Sequence, residues 1–181
     1  SHTHPDVGRV IGPFKGAATI NTSGFFTHMN SSKYSVCLNL NKPKGRKVAL
    51  ELIKWADIMV ENTAPGAMKR LGLDYQSVRQ VKADIVYLSI SMHGQYGPRS
   101  SSPGYGSLAS ALAGISYLSG WPDRGPAPPQ GAYVDYITPR FAVIAILAAL
   151  DYHHRTGKGQ RIDVALTETG IHFVAPIIMD Y

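Results

Sequence analysis

Hydrophobic positions along this chain fall into two periods. Ser35 to Leu40 (SVCLNL), Ile58 to Glu61 (IMVE), Ile85 to Ser91 (IVYLSIS) and Arg161 to Leu166 are short runs rich in Val, Ile and Leu. Such runs read as strands. Between them the spacing turns helical. From Pro43 to Trp55 the residues Val48, Leu50, Leu52, Ile53 and Trp55 make an amphipathic helix, with Pro43 suited to its first turn. Ala64-Pro65-Gly66 opens a short helix that stops at Gly72. Asp74 can cap a further helix running to about Lys82. Helical spacing returns over Ser107–Leu118, from about Tyr136 to His153, and over Thr167–Met179. Residues 1–34 are polar and read as a loop or extended arm. Met92–Gly106 and the Pro-rich Trp121–Gln130 also read as loops, and Arg155–Gly159 reads as a turn at a helix end.

Strands that alternate with helices make a parallel sheet covered on both faces. The expected fold is therefore α/β, a Rossmann-like parallel sheet flanked by helices. Such sheets hold ligands at the carboxyl ends of their strands. Chemistry is then expected in Asn41–Lys44, Asn62–Gly66 and Ser91–Gly106. The longest apolar run, FAVIAILAAL from Phe141 to Leu150, is ten residues long. A bilayer needs roughly 20, so the run reads as a buried helix and no membrane partner is expected.

Composition narrows the classes. The chain has 181 residues, 44% of them hydrophobic and 17% charged, which suits a domain with its own core. The single Cys37 excludes an internal disulfide framework and a thiolate zinc cluster, and fits a reducing, cytoplasmic location. The opening SHTHPDVGRV has no apolar segment of the kind that directs secretion. A net charge of +6 favours an anionic partner: nucleic acid, a phosphate-bearing molecule or an acidic surface. The seven histidines show no metal-ligand spacing, so no metal is expected, and no GxSxG elbow is present. His93 stands out because it lies in the glycine-rich loop.

Three features carry candidate chemistry. Lys42, Lys44, Arg46 and Lys47 crowd a helix start, where cations oppose the macrodipole. They form either a solvated face or a phosphate site. Gly104 to Ala109 fits GxGxxA, but the dinucleotide fingerprint needs a strand directly before it, and here a loop precedes. Loop-to-helix punctuation or a loop serving an active site fits better. Asp135 precedes the long apolar helix. It reads as an N-cap, a role compatible with that of an oriented, ionised carboxylate.

Longer motifs run in order from about Phe25 to Ala175. They are LNLNKPKG (Leu38–Gly45), ADIMVENTAPGAM (Ala56–Met68), Leu88–Ser91 with Gly94-Gln95-Tyr96-Gly97-Pro98, Asp135-Tyr136-Ile137-Thr138, Leu147–Leu150, and RTGKGQ (Arg155–Gln160) with Ile162-Asp163. Together they resemble the CaiB/BaiF, or class III, coenzyme A transferases. The resemblance implies transfer of coenzyme A between an acyl-CoA and a carboxylic acid, with Asp135 as nucleophile and with anhydride and aspartyl-CoA thioester intermediates. It implies coenzyme contacts at Leu38, Asn41, Lys42, Asn62, Thr63 and Arg70, and at Ser91, His93 and Gly94 in a loop over the reacting carbonyl. Coenzyme A is then a substrate rather than a resident cofactor, and the partner is a second copy of the chain in an interlocked homodimer, with no nucleic acid involved.

The resemblance also implies that residues 35–181 are the central part of a large domain cut at both ends, behind an arm of residues 1–34. The smaller second domain would be absent and the isolated chain inactive. Some positions depart from the pattern. Thr63 stands where an aromatic is common, and Pro139 where glycine usually follows Thr138. The lysine that some transferases carry near Ser91 is missing. An α-methylacyl-CoA racemase is the rival on the same fold, but its histidine base has Tyr105 in its place, a poor base at neutral pH. A non-catalytic coenzyme-binding subunit is the other alternative. A nucleic-acid binder would need aromatics among the basic residues, and Lys42–Lys47 contains none.

Overall fold

The computed structural model describes residues 5–129 and 131–181. The expected loop end at Gln130 therefore lies outside the described residues, as do residues 1–4. The chain divides into two compact units, one ending at Asn39 and the other running from Leu40 to Tyr181.

The first unit has more structure than its polar sequence promises. A single 3-10 turn spans Val7–Val10 and a helix, α1, spans Gly24–Met29. Ser23 caps α1 by accepting the Phe26 N–H at 3.1 Å. The Arg9 guanidinium stacks 3.7 Å above the Phe26 ring and donates to the Ile20 carbonyl at 2.8 Å. The strand expected over Ser35–Leu40 does not form. A strand is held by the ladder beside it, and no strand among the described residues forms a ladder with this segment.

The second unit is built on the parallel order β1-β2-β3. Its helices and strands follow as α2 (Pro43–Trp55), β1 (Ile58–Glu61), α3 (Ala67–Leu71), α4 (Tyr75–Val78), β2 (Val86–Ser91), α5 (Gly106–Leu112), α6 (Ile115–Leu118), α7 (Tyr133–Thr156), β3 (Gln160–Ala165), α8 (Leu166–Phe173) and α9 (Ala175–Asp180). The register makes continuous rows. Met59, Tyr87 and Arg161 lie side by side, as do Val60, Leu88 and Ile162, and Glu61, Ser89 and Asp163. Alternate rows face opposite sides. Leu88 and Ile90 of β2, with Ile162 and Val164 of β3, pack against Ala142 and Ile146 of α7. Met59 and Tyr87 face the other way, against Ala49, Leu50 and Ile53 of α2 and against Met68, Leu73, Tyr75 and Val78. Burial on both faces suits the near-continuous apolar run of a central parallel strand.

Several elements differ from their sequence expectations for local reasons. α4 is one turn only, and Asp74 accepts from the Ser77 hydroxyl at 2.6 Å rather than capping a backbone amide. The helix expected over Ser107–Leu118 divides at Gly114, whose φ is 82°. The helix expected over Thr167–Met179 divides at Val174, just ahead of Pro176. Proline supplies no N–H to the preceding turn and crowds it.

α7 is the largest departure. Its 24 residues make it long and apolar enough to cross a membrane by length and composition alone, and the ten-residue run was too narrow a guide. Nor is it buried all round. Val134, Ile137, Thr138, Ala142 and Ala149 are buried, whereas Val143, Ile144 and Leu147 are exposed. As placed, it lies along the sheet as a one-sided core helix. Gly157 ends it in the left-handed region, and Gly159 then passes Ile85 so closely that a Cβ there would lie 2.3 Å from the Ile85 carbonyl oxygen. This close approach explains the second glycine of RTGKGQ.

Candidate functional site

The strand ends and the start of α7 meet at one end of this unit. A helix of 24 residues is about 36 Å long, whereas a strand of six is about 20 Å. α7 leads through a short turn into β3, so its first turns overshoot the carboxyl ends of the strands. There Val134 and Ile137 pack with Met92, which follows β2, and with Ala109 and Ala113 of α5 and its C-cap. One apolar cluster thus joins the segment after β2 to the helix turn that carries Asp135.

Asp135 is not the N-cap. Ala132 takes that position, and Asp135 is the third residue of the helix. Val134, wholly buried, is drawn into the helix by packing that sequence periodicity does not contain. The Asp135 carboxylate accepts no hydrogen bond from another described residue. It lies against the Cα of Gly106, where a Cβ would come within 2.2 Å of Oδ1 and 2.4 Å of Cγ. One side of the residue stays open to solvent. The protein atoms on the other side desolvate the carboxylate and raise its pKa above the ordinary value. Pro139 sits one turn later in α7, so the Asp135 carbonyl also lacks the amide that would bond it four residues on.

The row Glu61, Ser89 and Asp163 crosses all three strands, at the end of β1 and two residues before the ends of β2 and β3, on the face opposite α7. Gln95 spans it. Its N–H donates to Asp163 Oδ2 at 2.8 Å, and its side-chain amide approaches Glu61 Oε1 at 3.4 Å. Glu61 is 8% exposed, and its other oxygen accepts from the Thr63 N–H at 2.8 Å and the Thr63 hydroxyl at 2.6 Å. Gly94, with φ at 85°, lies against the Asp163 carboxylate. The buried Glu61 and the half-buried Asp163 therefore hold the turn after β1 and the loop after β2.

The remaining candidates take distinct places. Ser91 is buried at the end of β2. His93 Nδ1 lies 3.2 Å from the Thr167 hydroxyl, which itself donates to the Met92 carbonyl at 3.0 Å, so the ring N–H is assigned as donor. Asn62 and Arg70 are exposed and Thr63 is half-buried. The Arg70 guanidinium reaches back over Gly66. Asn41 and Lys42 are exposed at the start of α2, which has no side-chain cap. Lys42, Lys44, Arg46 and Lys47 form no ion pair among the described residues. Leu38 belongs to the first unit, while the other candidates belong to the second. Tyr105, in the position of the racemase histidine, points into solvent at 81% exposure.

Glu61, Gln95, Asp163, Gly106 and Ser110 support this geometry, although none was named as a site residue from the sequence and only the first four lie in its motifs. For Glu61 and Asp163 the one advance signal was a carboxylate inside a mostly apolar run: Glu61 closing IMVE, and Asp163 in the last strand. The pairing register was needed to put them in one row.

Comparison with known proteins agrees with the fold. Residues 1–181 match CoA-transferase family III. The chain is 35% identical over 167 residues to the succinyl-CoA:glutarate CoA-transferase of Mus musculus, covering 92% of this chain and 38% of that one. It is 37% identical over 139 residues to the beta subunit of succinyl-CoA–L-malate CoA-transferase from Chloroflexus aurantiacus, covering 76% of this chain and 34% of that one. A crystal structure of a CaiB/BaiF family protein from Brucella suis superimposes with a TM-score of 0.90 at 34% identity, over 96% of this chain and 46% of that one. The chain thus spans less than half the length of these relatives. Sheet, motifs and matched span together assign it: the chain belongs to CoA-transferase family III.

Proposed function

We propose that this protein transfers coenzyme A from an acyl-CoA to a carboxylic acid, with Asp135 as the nucleophile. One observation carries the reading. Among the described residues the Asp135 carboxylate has no hydrogen-bond partner, and it stands against Gly106 at the end of the unit where the post-strand loops gather. A carboxylate that is partly desolvated and unpaired is more basic and more nucleophilic than one in water. Its Oδ attacks the acyl-CoA carbonyl, the C–S bond breaks, and an aspartyl anhydride and a coenzyme A thiolate result. The thiolate attacks the aspartyl carbonyl, releases the donor acid and leaves an aspartyl-CoA thioester. The acceptor carboxylate then displaces the thiolate to form a second anhydride. Attack of the thiolate on the acceptor's carbonyl gives the new acyl-CoA and restores Asp135.

The other candidates bind and orient. The cations at the start of α2 face a helix end whose amides favour phosphate, and they suit the coenzyme's phosphates, with Asn41 and Leu38 beside them in sequence. Asn62, Thr63 and Arg70 form a second coenzyme contact region, fixed through Glu61. The backbone amides of the loop containing His93 and Gly94 are suited to an oxyanion. Coenzyme A is a substrate here. The partner is a second subunit; the malate relative, named as a beta subunit, leaves a different chain as one form that subunit could take. To test the reading, the full-length protein is incubated with acyl-CoA and quenched with hydroxylamine. A hydroxamate on Asp135, absent in Asp135→Ala, is expected. A competent transferase whose Asp135 is never modified would overturn it.

A further inference from the structure

Ser110 of α5 is 1% exposed and uses its hydroxyl twice. It donates to the Gly106 carbonyl at 2.8 Å and accepts the Val134 N–H at 3.3 Å. Both ends of this relay bear on Asp135. Gly106 is the surface against which the carboxylate lies, and Val134 is the residue before it in α7.

The relay answers a need of the fold. The first amides of a helix have no partner inside it. A residue with a side-chain oxygen at the N-cap normally supplies one, but Ala132 has none. Water cannot reach Val134, which is fully buried, and an unpaired buried amide is costly. Ser110 supplies the missing acceptor from the neighbouring helix. A cap from Ala132's own position would fix α7 alone. A cap from α5 fixes α7 relative to Gly106.

We propose that Ser110 is a positioning residue that sets the Asp135 carboxylate against Gly106. It touches neither substrate nor reacting atom, and the proposal rests on the reading of Asp135 as nucleophile. Without the hydroxyl, the start of α7 is free to shift relative to α5, and the carboxylate leaves its seat.

The test compares wild type, Ser110→Ala and Ser110→Thr in the full-length protein. Four quantities are measured: kcat and KM for acyl-CoA, the titration of the Asp135 carboxyl by carbon NMR, hydrogen exchange at the Val134 amide, and the melting temperature. In Ser110→Ala, kcat is expected to fall by about tenfold to a hundredfold, the cost of a displacement of up to about 1 Å. KM stays near the wild-type value, Val134 exchanges faster and Asp135 titrates differently. Ser110→Thr, which keeps the hydroxyl, restores the titration and most of kcat. If threonine's extra methyl lowers the melting temperature, the Val134 exchange and Asp135 titration of Ser110→Ala decide alone. Unchanged kcat and titration in Ser110→Ala overturn the proposal, as does a loss of rate matched by loss of folded protein. A wild-type enzyme that turns over without an Asp135 adduct instead refutes the nucleophile reading, and the titration still reports whether Ser110 sets the carboxylate.

Discussion

Gly106→Ala separates catalytic geometry from folding. The added Cβ would lie 2.2 Å from Asp135 Oδ1, 2.4 Å from Cγ and 2.7 Å from Oδ2, whereas ordinary contact begins near 3.4 Å. The carboxylate must therefore retreat by about 1 Å, a displacement that can cost about a hundredfold in rate when the group is reactive. The backbone objects little, because Gly106 opens α5 and is not among the glycines with positive φ. Alanine in a helix is worth up to about 1 kcal/mol more than glycine. Pushing Asp135 off its preferred rotamer costs about 0.5–1.5 kcal/mol. The two nearly cancel, so the melting temperature should move little while Asp135 acylation slows about a hundredfold. Single-turnover release of coenzyme A, measured beside a thermal melt, reads both. A wild-type acylation rate in Gly106→Ala, or a slower rate explained by unfolding, would refute the claim that the carboxylate is seated on this glycine.

Three further outcomes are expected. Asp163→Ala removes the acceptor of the Gln95 N–H, a bond to a charged group worth about 1.5–3 kcal/mol; hydrogen exchange at Gln95 should accelerate and the chemical denaturation midpoint fall. Burial raises the Asp135 carboxyl, so its charged form is less favourable in the folded chain than in the unfolded one. Asp135→Asn should therefore stabilise the chain above the unfolded carboxyl value of about 3.9, by an amount that grows up to the raised folded value and is absent below both, as a set of melts across pH will show. Tyr87 is 2% exposed and its hydroxyl donates to the Leu73 carbonyl at 3.0 Å. Tyr87→Phe leaves that carbonyl unpaired and should cost about 1–2 kcal/mol in equilibrium unfolding.

What the sequence made legible was local or periodic. The bounds of α2 and β1 follow from apolar spacing and from Pro43. The ends of α3 and α7 follow from Gly72 and Gly157. The strand-helix rhythm pointed to a parallel sheet, and with it to the turns after β1 and β2. What could not be read depended on partners distant in the chain. Ser35–Leu40 has strand-like residues but no ladder beside it among the described residues. Asp135 resembles a cap until Ser110, 25 positions earlier, is seen to take over the capping of Val134. Glu61 and Asp163 look like isolated acids until the register sets them in one row, with Gln95 across them. The amphipathic nature of α7 was hidden because its exposed face is nearly as apolar as its buried one, so periodicity could not tell them apart.

The nucleophile itself is tested most directly by following oxygen. In the proposed mechanism, an acceptor acid that carries heavy oxygen in its carboxylate forms the second anhydride through that oxygen, and breakdown of the anhydride leaves the label on the enzyme. After turnover with such an acid, peptide mapping should place heavy oxygen in the Asp135 side chain and in no other carboxylate. Full turnover with Asp135 unlabelled would contradict the account.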